Sequence, residues 1–391
     1  MVHAFIPVAA PMLAGNEKKY VLDCLDTNWI SSRGAYIEKF ETAFAKFCGV
    51  KHAVSCTNGT TALHLALVAL NVGPGDEVIV PTLTFVATAN AVRYCGARPV
   101  FVDAEPRTWN MDPALVEAKI TPRTKGIIVV HLYGHPVDMD RIMEIARRHG
   151  LFVLEDAAEA HGAVYKGQVV GSIGDVGTFS FFGNKVLSTG EGGMVVTNDE
   201  QLAQTVQVLK EQGMDQNRRY WYPVIGYNYR MTNIAAAIGL AQVEKAQWHI
   251  QRRLEIAAWY REQLEPIPGL MMQVEEEWAR HVYQFFTVVL GQDIPVSREQ
   301  IIAHLLEHGI EGRPVVYPMH TLPPYADPAL DGEFPVAGMI ASRGINLPTW
   351  AGLTRADARR VCGALLEAIG TATLFDPPSN SVAIDSTVGT S

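Results

Sequence analysis

Between residues 50 and 198, short β-rich runs alternate with helical runs, and this alternation narrows the possible folds more than any other feature of the chain. Strands are expected at residues 77–80, 99–103, 126–131, 151–155, 178–182 and 193–197. Helices are expected between most of them, at 61–71, 85–94, 113–120 and 139–149. The pattern predicts an α/β fold, a mostly parallel sheet with helices on both faces. Residues 232–264 carry apolar positions at helical spacing and read as one or two long helices leaving the sheet. After Pro266-Ile267-Pro268-Gly269 a strand at 284–290 and helices at 298–308 and 355–369 suggest a smaller α+β domain. The expected division is 1–250 for the large domain and 251–375 for the small one, with a Ser/Thr/Gly-rich disordered tail at 376–391.

Composition removes several classes of function. The net charge is −9 with no long block of either sign, so neither nucleic acid nor an acidic membrane surface has an electrostatic basis for binding. No stretch approaches the roughly 18 apolar residues of a membrane span, and residues 1–15 lack the basic and apolar regions of a signal peptide. The five cysteines are scattered and form no C-x-x-C pair, which argues against a disulfide framework and for a reducing, cytoplasmic setting.

Pockets in parallel sheets gather at the carboxyl ends of the strands. There the chain places Glu155-Asp156-Ala157-Ala158-Glu159-Ala160-His161 after one strand and Gly183-Asn184-Lys185 after another. A carboxylate and a lysine at neighbouring strand ends can be a cap and a surface ion pair. The sharper reading is a pyridoxal phosphate site, where a lysine anchors the cofactor as a Schiff base and a carboxylate keeps the pyridine nitrogen protonated. Thr57-Asn58-Gly59-Thr60-Thr61 opens into a helix at 62–70, a natural phosphate cradle or a plain N-cap. Phe85 could stack on a ring or pack in the core.

Other chemistries fit less well. His131 and His135 have a ligand-like spacing, but Gly134 and Pro136 make the segment a strand exit and no third ligand is evident. A divalent site at Glu155, Asp156, Glu159 and His161 would leave Lys185 unexplained, so no metal is expected. No G-x-G-x-x-G or P-loop is found, which sets aside nicotinamide and nucleotide-triphosphate sites.

Gly75-Asp76-Glu77-Val78-Ile79-Val80-Pro81, Glu155 to Ala160, Phe179-Ser180-Phe181-Phe182 through Lys185, Gly190-Glu191-Gly192-Gly193 and Gly226-Tyr227-Asn228-Tyr229-Arg230-Met231 together resemble the sugar aminotransferase family of fold-type I pyridoxal-phosphate enzymes, in order over residues 7–369. The resemblance implies a three-layer α/β/α, aspartate-aminotransferase-like fold with a mainly parallel seven-stranded sheet and a small C-terminal α+β domain. It implies pyridoxal 5'-phosphate as cofactor, Lys185 as Schiff-base lysine and proton carrier, and Asp156 as partner of the pyridine nitrogen. Glu159, where many relatives have Gln, would lie near the phenolic oxygen; Ser180, Gly59 and Thr60 would hold the phosphate; Phe85 would cover the ring. Asn228 would reach the phosphate of a neighbouring subunit, implying a homodimer with shared active sites.

Related dehydratases carry His where this chain has Lys185, so the implied reaction is transamination, with L-glutamate as donor and a nucleotide-linked keto-sugar as acceptor. The stretch 214–223, Phe181 to Lys185, Arg313-Pro314 and Pro318-Met319-His320 resemble members that act on GDP-4-keto-6-deoxymannose, for a deoxyamino sugar of O-antigen or another surface glycan. A UDP- or dTDP-linked keto-sugar is the alternative. A non-catalytic ligand-binding or regulatory module on the same fold is a remoter one. For the diphosphate, Arg33, Arg218, Arg219, Arg230 and Arg313 are candidates by residue type, with Tyr317 and His320 beside the sugar.

Overall fold

The computed structural model describes residues 4–370, so the expected tail lies outside the described residues. Strands β1 to β5 run His52–Cys56, Glu77–Pro81, Arg98–Val102, Thr124–Val130 and Phe152–Asp156. The short β6 (Val164–Tyr165) and β7 (Gln168–Val169) form a hairpin, and β8 (Val176–Ser180) and β9 (Gly193–Thr197) return to the main sheet. Helices α1 to α9 are Glu17–Asp26, Ala35–Cys48, Gly59–Ala69, Ala87–Tyr94, Pro113–Val116, Met139–His149, Glu200–Lys210, Asn233–Glu244 and Ala246–Leu264. The C-terminal part adds β10 (Leu270–Met272), β11 (Ala279–Arg280), β12 (Phe286–Leu290), β13 (Arg313–Pro314) and β14 (Gly344–Leu347), with α10 (Arg298–Glu307), α11 (Pro335–Arg343) and α12 (Arg355–Ala368).

The main sheet has seven strands in the order β1-β9-β8-β5-β4-β2-β3. Only β9 runs antiparallel to its neighbours β1 and β8. Alternation along each strand builds two cores. On β2, Val78 and Val80 face Leu63 and Leu67 of α3, Val92 of α4 and Val206 of α7. Ile79 faces the opposite way, toward Phe40 and Phe44 of α2, Ile142 of α6 and Ala236 of α8. Three layers follow, because a strand buried on both faces needs a helix layer on each.

A third core lies around the four-stranded sheet β10-β12-β14-β13, where Tyr260 of α9, Leu305 of α10 and Leu365 of α12 pack with Val288 and Ile345. Arg253 of α9 ties it in: its buried guanidinium donates to the carbonyls of Tyr283, Gln284 and Thr349 at 2.9–3.1 Å. No helix of the described residues is long and apolar enough to cross a membrane.

Local chemistry explains where elements depart from expectation. Helix α3 begins at Gly59, because Asn58 accepts from Thr61 N–H while the Thr61 hydroxyl accepts from Asn58 N–H, a closed capping box. Strand β8 ends at Ser180, two residues earlier than expected, since Phe181 turns to bond Gly192 and Thr189. The expected helix 113–120 breaks after Val116 into a 3₁₀ turn. The segment 232–264 divides into α8 and α9 at Lys245.

Candidate active site

Strands β1, β4, β5 and β8 are parallel, so their carboxyl ends open on one edge of the sheet. A cavity of about 500 Å³ lies there. It gathers Gly59, Thr60, Phe85, Asp156, Glu159, Ser180, Lys185 and Arg313 of the residues singled out in the sequence.

Asp156 ends β5 and is 5% exposed. Its Oδ2 accepts from the Thr88 hydroxyl at 2.8 Å and its Oδ1 from Ala158 N–H at 3.2 Å. Thr84 Oγ1 lies 3.1 Å from Thr88 Oγ1, extending the relay. Burial pushes the Asp156 carboxyl above the ordinary carboxylate range, against the Thr88 bond, the Ala158 N–H and the nearby Lys185 charge. A cationic group set against Asp156 would reverse that shift.

Lys185 Nζ stands 3.5 Å from Glu159 Oε1, both side chains 13% exposed. The other Glu159 oxygen accepts from Tyr133 N–H at 2.9 Å. Tyr133 is buried and takes φ 54°, a left-handed backbone that aims this N–H at the carboxylate. Its hydroxyl accepts from Val316 N–H at 3.4 Å, and Asn346 reaches the same cavity from the four-stranded sheet.

The α3 end of the cavity is an anion cradle. Asn58 satisfies Thr61 N–H and leaves the Gly59 and Thr60 N–H groups as open donors of the first turn. A Cβ on Gly59 would lie 2.7 Å from Ser180 Cβ and 3.2 Å from its Oγ. Only glycine lets α3 approach the serine this closely. Gly59→Ala is therefore expected to cost about 1–3 kcal/mol of stability and, by displacing Ser180, to weaken phosphate binding. Urea unfolding with and without pyridoxal phosphate reads both effects.

These residues fit pyridoxal phosphate: a buried carboxylate bonded to a hydroxyl and a backbone N–H, a lysine, an anion cradle, and the rings of Phe85 and Phe182, 60% and 49% exposed. Arg313 lines the cavity with Glu311 2.7 Å from its guanidinium. The remaining candidates lie elsewhere. Arg33 and Arg219 border a separate recess of about 690 Å³. Arg218 covers the Trp221 ring at 4.2 Å. Asn228 is exposed and accepts from Arg230 at 3.0 and 3.2 Å. His320 is bonded to Thr82 at 2.7 Å and stacked on Phe334, and Tyr317 is exposed with Arg298 over its ring.

The metal alternatives at this edge dissolve into packing. His131 donates from Nε2 to Glu155 and accepts Val137 N–H at Nδ1. Glu155 also accepts from the N–H groups of Gly171, Ile173 and Gly174. His135 is bonded to Pro136 and Glu276. His161 is wholly buried among Phe44, Phe179 and Phe181, and burial drives its imidazole down to about 3, so it stays neutral.

Thr88, Tyr133 and Asn346 were not anticipated. Thr84 and Thr88, four residues apart just beyond a strand end, were the one local signal available.

Comparison with known proteins agrees with this geometry. The model of the DegT/DnrJ/EryC1/StrS aminotransferase family matches residues 11–366. A GDP-perosamine synthase of Caulobacter vibrioides is 57% identical over 92% of this chain and 97% of that protein. One from Escherichia coli O157:H7 is 49% identical over 93% and 98%. The solved structure of S. venezuelae DesV superposes with a TM-score of 0.85 at 38% identity, covering 90% of this chain and 94% of that one.

Proposed function

From the premise that this chain belongs to the DegT/DnrJ/EryC1/StrS aminotransferase family, we propose that it transfers the amino group of L-glutamate to GDP-4-keto-6-deoxymannose, forming GDP-perosamine, as a homodimer with shared sites. It is a pyridoxal 5'-phosphate-dependent sugar aminotransferase. The observation that carries the reading is Lys185 within one cavity with buried Asp156 and the open turn of α3.

When bound, pyridoxal phosphate supplies a protonated ring that accepts the electron pair released at the substrate carbon. The chain supplies the rest. Asp156 would hold the ring nitrogen's proton, its carboxylate being oriented by the Thr88 hydroxyl. Gly59, Thr60 and Ser180 would bind the phosphate, and Phe85 would cover the ring and exclude water. Lys185 carries the proton at the substrate carbon, and Glu159, held by Tyr133 N–H, orients its ammonium. Arg313 offers the anionic substrate a charge within the cavity.

Large apolar side chains left exposed at Trp29, Tyr220, Trp221, Tyr222 and Ile225 support the dimer, since a lone soluble chain gains nothing by presenting them to water. A partner covering them brings Asn228 and Arg230 toward the second active site. Five free cysteines suit the cytoplasm.

The test is the visible spectrum of protein loaded with pyridoxal phosphate. Glutamate is expected to convert the lysine-bound cofactor band to that of the pyridoxamine form, and GDP-4-keto-6-deoxymannose to restore it. Restoration only by a UDP- or dTDP-linked keto-sugar would move the nucleotide and overturn the substrate assignment.

A further inference from the structure

Away from the cavity, the C-terminal ends of α10 and α12 bring three ligating side chains together. His304 and His308 stand four residues apart, so both rings leave the same face of the helix. Their centroids are 4.3 Å apart. Glu367, in the last turn of α12, sets its Oε2 3.8 Å from Nε2 of each histidine. One ligand atom from each residue falls within 4.8 Å of the others.

Hydrogen bonding leaves the right nitrogens open. His308 Nδ1–H donates to the His304 carbonyl at 2.9 Å, which keeps the Nε2 lone pair free and turned toward Glu367. His304 Nε2 is buried and has no hydrogen-bond partner, an arrangement that calls for a ligand. The charge at this spot is also unbalanced. The carbonyl ends of two helices are negative, and Glu367 adds a carboxylate to a last turn that holds no basic residue. Arg360, the neighbouring cation, is taken up by the carbonyls of Ala4 and His308.

We propose that His304, His308 and Glu367 form a surface site for a divalent transition-metal ion of the zinc class, joining the end of α10 to the end of α12. Two imidazoles and a carboxylate suit zinc, nickel or cobalt; magnesium and calcium prefer shells of oxygen. Metal–ligand bonds of about 2.0–2.2 Å in tetrahedral geometry place ligand atoms roughly 3.3–3.6 Å apart. The two 3.8 Å histidine–glutamate gaps therefore close with a shift of a few tenths of an ångström, and the widest spacing among the ligand atoms, at most 4.8 Å, closes with about one ångström of movement in the exposed His308 and Glu367 side chains. A water takes the fourth position. None of the three residues lines the cavity, so the ion fastens the helix pair over the third core and takes no part in amino transfer.

The experiment uses the full chain without an affinity tag, loaded with pyridoxal phosphate, freed of metal by a chelator and titrated with zinc chloride by calorimetry, with the thermal midpoint recorded alongside. One equivalent is expected to bind and to raise the midpoint. His308→Ala and Glu367→Gln, both at exposed positions, are each expected to weaken binding by on the order of ten-fold or more and to remove the rise. No saturable uptake by the parent protein would overturn the proposal, and so would uptake unchanged in both variants.

Discussion

Replacing Lys185 by alanine is expected to abolish amino transfer and leave the fold standing. The side chain sits in a cavity, 13% exposed, and its one ion-pair partner among the described residues is Glu159 at 3.5 Å. Removing it opens no hole in a packed core, and Glu159 keeps the Tyr133 N–H at 2.9 Å. The chemical loss is of another order. Positioned proton transfer alone is worth about 10²–10⁴-fold, and the covalent anchor of the cofactor goes as well. Steady-state turnover with glutamate and the keto-sugar reads the loss, the visible spectrum reads the missing lysine-bound band, and the thermal midpoint checks the fold. Turnover at the parental rate would remove Lys185 from the reaction.

Why was Lys185 readable from sequence while Thr88 was not? Lys185, Asp156, Ser180 and Gly59 all fall within a few residues of a strand end, and in a parallel sheet those ends meet by topology. Thr88 reaches Asp156 across 68 positions of sequence, and Asn346 arrives from another sheet altogether. Those meetings are made by tertiary packing and leave no local mark. Arg33, Arg219, Arg230, Tyr317 and His320 show the converse, lying outside the cavity of their own chain. They were chosen because guanidinium, phenol and imidazole suit a nucleotide sugar, and residue type carries chemistry without address.

The same distinction separates the elements. Helix Met139–His149 and strand Gly193–Thr197 have the expected bounds, the helix closed by Gly150 in a left-handed cap. That β9 runs antiparallel was hidden, because a strand buried on both faces has the same composition in either direction. Strand His52–Cys56 lacks a run of β-branched residues, and it stands as an edge strand held through β9. Helices α1 and α2 went unassigned. They pack against α8, some two hundred residues away, where Asn233 accepts Tyr36 N–H and donates to the Trp29 carbonyl.

Asp156→Asn is expected to separate stability from catalysis. In the cofactor-free protein, burial raises the Asp156 carboxyl above its unfolded value, so the folded chain holds this proton more tightly than the unfolded chain. The stability it contributes is complete below the unfolded value of about 3.9 and is lost as pH rises through the folded one. Above its folded value the ionised side chain is therefore a burden on the empty fold. Asparagine has nearly the same shape, can still accept Ala158 N–H, and can donate to a Thr88 hydroxyl turned to accept. The cofactor-free variant should match or exceed the parental thermal midpoint at pH 7, with a flatter dependence on pH between 4 and 7. Turnover should fall by on the order of 10²–10³-fold, the loss that follows removal of one preorganised electrostatic partner. Parental turnover would sink the pairing of Asp156 with the ring nitrogen. A lower midpoint in the empty protein would mean that Thr88 and Ala158 stabilise the charge outright, and that the site is built to hold a carboxylate whether or not a cation comes to meet it.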